Sequence, residues 1–173
     1  MALQGEPVAH NDLVSGAQTA LHSHAGGGGG FTPTYFQSTK SGDQSMSNGS
    51  FADITSWLSP THTHADYSFS TSTGVLTINT TGDYEVTAHI LADSGTNRTE
   101  TGIRITLNGG AITGCESRNY SSRNASQDEG SVCIPGFLVA CNATDTLKVQ
   151  GLYLGTQPVA SARGTWFQVK KIG

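Results

Sequence analysis

From Phe31 to the C-terminus the apolar residues recur with a period of two, in short runs separated by glycine, asparagine, serine and proline. Such alternation is the mark of strands that bury one face. Tyr35-Phe36-Gln37 opens the series, and Phe51 to Leu58 follows, stopped by Ser59-Pro60. Tyr67-Ser68-Phe69, Val75 to Ile78, and Gly82 to Leu91, the longest expected strand, come next. Ile103 to Leu107 and Ile112 to Glu116 flank a turn at Asn108-Gly109-Gly110, a pairing of residues that favours a tight hairpin. Val132 to Ala140, Leu147 to Leu154 and Trp166 to Ile172 complete about ten strands. No long helical pattern alternates with them, so a parallel α/β fold is excluded and a sandwich or jelly roll remains.

The first thirty residues read differently. Asn11 or Asp12 can cap a helix over residues 11–21, with Leu13, Val14, Ala17, Ala20 and Leu21 on one stripe. At that length it is marginal alone and needs a neighbour to pack on. His22-Ser23-His24 follows, and then the run from Gly26 to Gly30, which acts as a hinge. The expected organisation is therefore an anchoring arm over 1–30, helical or extended, and an all-β knob over 31–173.

Composition narrows the function. Of the 173 residues, 13% are charged, about half the usual share, and the net charge is -4. Lys170-Lys171 is the one basic cluster, which speaks against nucleic acid as partner. The N-terminus carries no basic, apolar leader pattern, and no apolar run is long enough for a membrane helix. The expectation is a protein made in the cytoplasm of its producer and not inserted in a membrane.

Cys133 and Cys141 stand eight residues apart in one expected strand, roughly 26 Å when extended, so they cannot pair with each other. Buried thiols are the plain reading of the three cysteines, and one disulfide from Cys115 to either of the others is the alternative. No Gly-x-Ser-x-Gly elbow and no cysteine beside an organising histidine occurs. Asp128 and Glu129 are sequence neighbours that a strand would aim to opposite faces, unlike a glycosidase pair. The Gly26 to Gly30 run lacks the following Gly-Lys-Ser/Thr of a phosphate loop. The chain reads as a non-enzyme.

The order of these segments carries a likeness. Gly74 to Ala88, with Gly82-Asp83-Tyr84-Glu85-Val86 at its centre, resembles the core of the trimeric globular heads of the tumour-necrosis-factor and complement type. The resemblance continues through Ile105 to Gly110, Gly130 to Ala140, Ala143 to Val149 and the terminal strand from Thr165 to Ile172. It implies a ten-strand jelly roll that trimerises about a three-fold axis by packing aromatic strand faces together. Trp57, Tyr84, Trp166 and Phe167 are the residues expected in that trimer contact or in the core. The family usually has Gly-Asp where this chain has Thr144-Asp145, and no collagen-like repeat occurs here.

The segment from Asn11 to Leu21 with its His-x-His and glycine run is similar to linkers of tailed-bacteriophage virion proteins. That likeness implies a surface knob on the virion, a head fibre or decoration trimer, joined to capsid or tail through residues 1–30. A tail-fibre receptor-binding protein, or a non-viral carbohydrate-binding or cytokine-like trimer, is the alternative, and a jelly-roll hydrolase the third. No cofactor is certain. In a trimer, His22 and His24 of three chains would offer six imidazole nitrogens to a transition metal on the axis. His62-Thr63-His64 repeats the spacing in a polar loop. The stretch from Ser117 to Glu129 reads as an excursion whose Arg118, Tyr120 and Arg123 suit polar recognition, including a host surface glycan.

Overall fold

Alternation becomes pairing in the computed structural model, which describes residues 31–93, 99–121, 129–155, 159–161 and 163–173. Twelve strands form among them: β1 (Tyr35–Thr39), β2 (Gln44–Ser45), β3 (Ala52–Asp53), β4 (Tyr67–Ser70), β5 (Val75–Ile78), β6 (Gly82–Asp93), β7 (Thr99–Leu107), β8 (Gly110–Ser121), β9 (Glu129–Cys141), β10 (Thr146–Gly155), β11 (Val159–Ala160) and β12 (Trp166–Lys171). No helix occurs among the described residues. The protein is all-β, and Thr32–Gly173 is one compact unit.

Two antiparallel sheets face each other. In the first, β1 pairs with β12, β12 with β6, and β6 with β9; beyond β12, the far end of β6 takes β11 and then β2. The second runs β4-β5-β10-β7-β8, with β3 added on β10. Each strand sends every second residue inward: Tyr84, Val86, Ala88 and Ile90 from β6, Phe167 and Val169 from β12, Ile103 and Ile105 from β7, Leu147 and Val149 from β10. These side chains are buried almost completely, which at roughly 1.5–3 kcal/mol each supplies the main force for closure.

One end of the core is aromatic. Phe36 lies between Phe69, Phe167 and Tyr67 at centroid distances of 4.8, 5.7 and 6.1 Å. Trp57 closes on Phe69 and Phe167, and its indole N–H donates to the Ile54 carbonyl at 2.9 Å. Trp57, Tyr84 and Phe167 therefore belong to the core of a single chain and are not available to a trimer contact.

Three segments depart from the sequence expectation. Of Phe51 to Leu58 only Ala52–Asp53 is a strand, because Ser56 takes a left-handed φ of 57° and turns the chain so that Ile54 and Trp57 point inward together. That spacing of three is the trace of a turn, not of a strand. Ser117 to Ser121, expected in an excursion, extends β8 along β7. The longest strand is β9 rather than β6. Cys133 and Cys141 do share one strand, and the three thiols are free.

Two backbone positions carry the tightest constraints. Gly74 has φ +71°, and a Cβ there would stand 2.4 Å from the Ile54 carbonyl oxygen and 2.6 Å from the Trp57 indole nitrogen. Thr144 adopts φ 79° in the β9–β10 turn, a region costly for a branched L-residue. Thr144 stands where the resembling family usually has glycine. Gly74→Ala is expected to lower the unfolding free energy by at least ~2 kcal/mol in urea denaturation. Thr144→Gly is expected to raise it by about 1 kcal/mol, since relief of strain outweighs the added freedom of the unfolded chain.

Candidate functional site

The outward residues of the first sheet line up in rows set by strand register. Tyr35, Lys170, Glu85 and Leu138 form one row across β1, β12, β6 and β9. Gln37, Gln168 and Thr87 form the next, where a bulge in the β6–β9 pairing displaces Pro135 and Gly136. Thr39, Trp166, His89 and Cys133 form the third, and Leu91 stands opposite Ser131 beyond it. A face of this kind is mixed: Trp166 and His89 bring rings to its third row, and Lys170 and Glu85 bring charge to its first.

Trp166 stands half-buried on this outer face. Its ring stacks on His89 with centroids 6.0 Å apart and planes 14° apart. His89 Nδ1 lies 2.5 Å from the Gly164 carbonyl oxygen, which can only accept, so Nδ1 carries a proton and donates it there. Leu138, in β9 at the edge of the same face, is 66% exposed, the most exposed large apolar side chain among the described residues.

At the β1 edge the face becomes concave. Tyr35, Gln37, His62 and Gln168 line a depression of about 370 Å³. A second, of about 500 Å³, shares Tyr35 and His62 and continues between residues 32–34 and the loop from Pro60 to His64. That loop is held against β1 by Gln37 N–H donating to the His62 carbonyl and Thr61 N–H donating to the Gln37 carbonyl, both at 2.9 Å. Below it, Asp66 accepts from Thr80 Oγ1 at 2.6 Å and Thr34 Oγ1 at 2.7 Å, with His64 Nδ1 at 3.2 Å. The Thr80 hydroxyl above all, helped by Thr34, holds the Asp66 carboxyl below its ordinary range. Tyr67 Oη donates to the Thr34 carbonyl and accepts from Lys171 N–H, each at 3.0 Å, so the chain entering β1 is tied to the C-terminal strand.

The residues expected to recognise a ligand lie elsewhere and are engaged. Arg118 is on the outer face of the second sheet, where it donates to Glu116 at 2.7 Å and to Glu100 at 2.9 Å. Arg104 covers the Phe51 ring at 4.2 Å, with Arg118 beside it at 5.8 Å, and Arg104 also donates to Gln150. Gln150 and Lys148 in turn donate to Asp53 at 2.7 Å. This is a satisfied network that clamps Phe51 over Gly102, not an open set of donors. Tyr120 is 59% exposed on β8, a strand rather than a loop. Arg123, and the metal candidates His22 and His24, lie outside the described residues.

The thiols divide by environment. Burial pushes Cys115 up, and burial together with nearby Asp145 and Asp83 pushes Cys141 up to about 11, so both are protonated at neutral pH. Burial likewise drives the Tyr84 hydroxyl well above its ordinary value, and it donates to the Thr80 carbonyl at 2.5 Å. Among the described residues no group of three His, Cys, Asp or Glu side chains is placed to hold a metal ion. The Tyr35–Gln37–His62–Gln168 depression went unnoticed in the sequence. Its strand residues alternate outward as the pattern requires, but nothing in the pattern says that β1 lies beside β12 or that the 60–64 loop folds over both.

No protein-family model and no curated protein matches this sequence. Solved structures do. Murine APRIL at pH 5.0 superposes with a TM-score of 0.56 at 12% identity, over 82% of this chain and all of that one. The Eiger TNF of S. frugiperda superposes with a TM-score of 0.55 at 18% identity, over 83% of this chain and 93% of the other.

Asp66 gives a pH test. Its carboxyl titrates lower folded than unfolded, so its stabilisation is complete above the unfolded value of 3.8 and disappears as the pH falls through the lower, folded value. Asp66→Asn is expected to unfold at lower urea than the parent at pH 7, and the gap is expected to close below pH 3.8; a gap independent of pH would contradict the assignment. At identities this low the shared architecture is what the superpositions establish: the chain has the jelly-roll fold of tumour-necrosis-factor-like proteins.

Proposed function

We propose that this protein is a non-enzymatic, homotrimeric knob displayed on a bacteriophage virion, held to capsid or tail by residues 1–30. The observation that carries the trimer is the outer face of the first sheet. Leu91, Trp166 and His89 lie half-buried on it, and Leu138 projects from its β9 edge. A sheet whose core is already closed by the second sheet has no intramolecular use for a stacked tryptophan there. Covering such a face with a second copy removes apolar area from water. Leu138 and the β1 edge lie on opposite sides of one sheet, so the contact is head-to-tail, and a closed ring is its stable outcome.

The virion setting is supported by the likeness of the arm from Asn11 to Leu21, with its His-x-His and glycine run, to phage linkers. The absence of a nucleophile–base pair from the sequence motifs favours display over catalysis. An axial metal held by His22 and His24 belongs to the same reading and would be lost with the arm.

Light scattering on the full chain is expected to give three times its 18.0 kDa mass; a monomer at all concentrations would overturn the trimer. Leu138→Lys is expected to yield monomers that still unfold cooperatively. Removal of residues 1–30 is expected to leave the trimer intact while abolishing co-sedimentation with phage particles, and retained co-sedimentation would refute the anchoring role.

A further inference from the structure

We infer that His89 makes the contact between copies acid-sensitive: the knob stays assembled while the ring is neutral and loosens when the ring takes up a second proton. The inference rests on the trimer proposed above, which covers the outer face of the first sheet.

That proton has one place to go. Nδ1 already donates to the Gly164 carbonyl at 2.5 Å, so a proton taken from solution lands on Nε2. Among the described residues Gly164 is the ring's hydrogen-bond partner, which leaves Nε2 to the solvent in a separate chain. Trp166 stacks on the ring at 6.0 Å and 14°, so the imidazole cannot swing off the sheet without losing that contact. In a separate chain the charged ring is well served. The carbonyl accepts at Nδ1, the indole face attracts a cation, and water reaches Nε2 because the residue is half-buried.

The surrounding elements supply little counter-charge. On β6 the same-face neighbours are Thr87 and Leu91, while Glu85 and Asp93 stand four positions away, roughly 13 Å along the strand. β12 brings Trp166 and Gln168, and β1 beyond it brings Thr39 and Gln37. β9 sets the Cys133 thiol opposite His89, with Ser131 next on that face. Arg163, in the turn before β12, adds positive charge rather than negative. No carboxylate among the described residues pairs with His89. Covering this face therefore strips water from an imidazolium and offers no intrachain carboxylate in return, whereas covering a neutral imidazole costs far less. A separate chain then holds the proton more tightly than the trimer does, and by linkage acid weakens association. Histidine ordinarily changes charge between pH 5 and 8, and a ring of three copies carries three such groups. His62 and His64 are the other described histidines. Both lie in the exposed 60–64 loop, and His64 already has Asp66 at 3.2 Å.

Sedimentation of the full chain over a concentration series at pH 7.5 and pH 5.5 tests the inference. The concentration at which half the trimer dissociates is expected to rise about 10-fold or more at pH 5.5. His89→Gln, uncharged at both pH values, is expected to remain trimeric at pH 7.5 and to abolish that rise. A second measurement leaves His89 in place: NMR titration of its ring protons is expected to show proton uptake at higher pH in the Leu138→Lys monomer than in the parent trimer. A rise that persists in His89→Gln, a rise abolished instead by His62→Gln, or coincident titrations in monomer and trimer overturn the inference. A parent equally trimeric at both pH values refutes the acid sensitivity alone, whereas a parent already monomeric at pH 7.5 refutes the trimer on which it rests.

Discussion

Strand β6 is the constraint on which the rest depends. It is bonded along one side to β9 and along the other first to β12 and then to β11, so its pleat sets the facing of three neighbours. Tyr84, Val86, Ala88 and Ile90 must point inward, and Glu85, Thr87, His89 and Leu91 therefore point out. A slip of one residue would expose the first set and bury a carboxylate. The outer rows, with their stacked Trp166 and the paired glutamines, are consequences of that single register.

The bulge between Val86 and Ala88 modifies this order where it matters for shape. Two residues of β9, Pro135 and Gly136, stand against Thr87, and Gly136 takes φ +144° with the Glu85 carboxylate close enough to touch a Cβ. Bulges sharpen local twist, which helps the sheet wrap over the core. On the opposite sheet the device is electrostatic. Asp53, Gln150 and Arg104 pair in succession, Glu116, Arg118 and Glu100 form a second group, and the two arginines lie over Phe51, which rests against a glycine.

Strand positions were legible wherever alternation was clean, as in β5, β6, β7, β10 and β12. The jelly-roll class followed from their number and from the order of the motifs around Gly82-Asp83-Tyr84. What stayed hidden was long-range. Arg118 looked like a free donor because its partners, Glu100 and Glu116, are brought to it by hairpin register. Trp57 and Trp166 are equally apolar in sequence, yet one is sealed in the core through its bond to Ile54 and the other lies on an outer face. The four walls of the depression at the β1 edge come from three separate segments, and only the pairing of β1 with β12 assembles them.

The loop that bonds β1 at Gln37 has a further effect at the level of many molecules. An outermost strand with unpaired amides is a template on which another chain can extend a sheet, and repetition of that event makes fibres. Here the 60–64 segment occupies that template at Gln37 with its own backbone, and Pro60, which lacks an N–H, begins it. Knobs crowded together at high local concentration are therefore kept from polymerising through the β1 edge at Gln37.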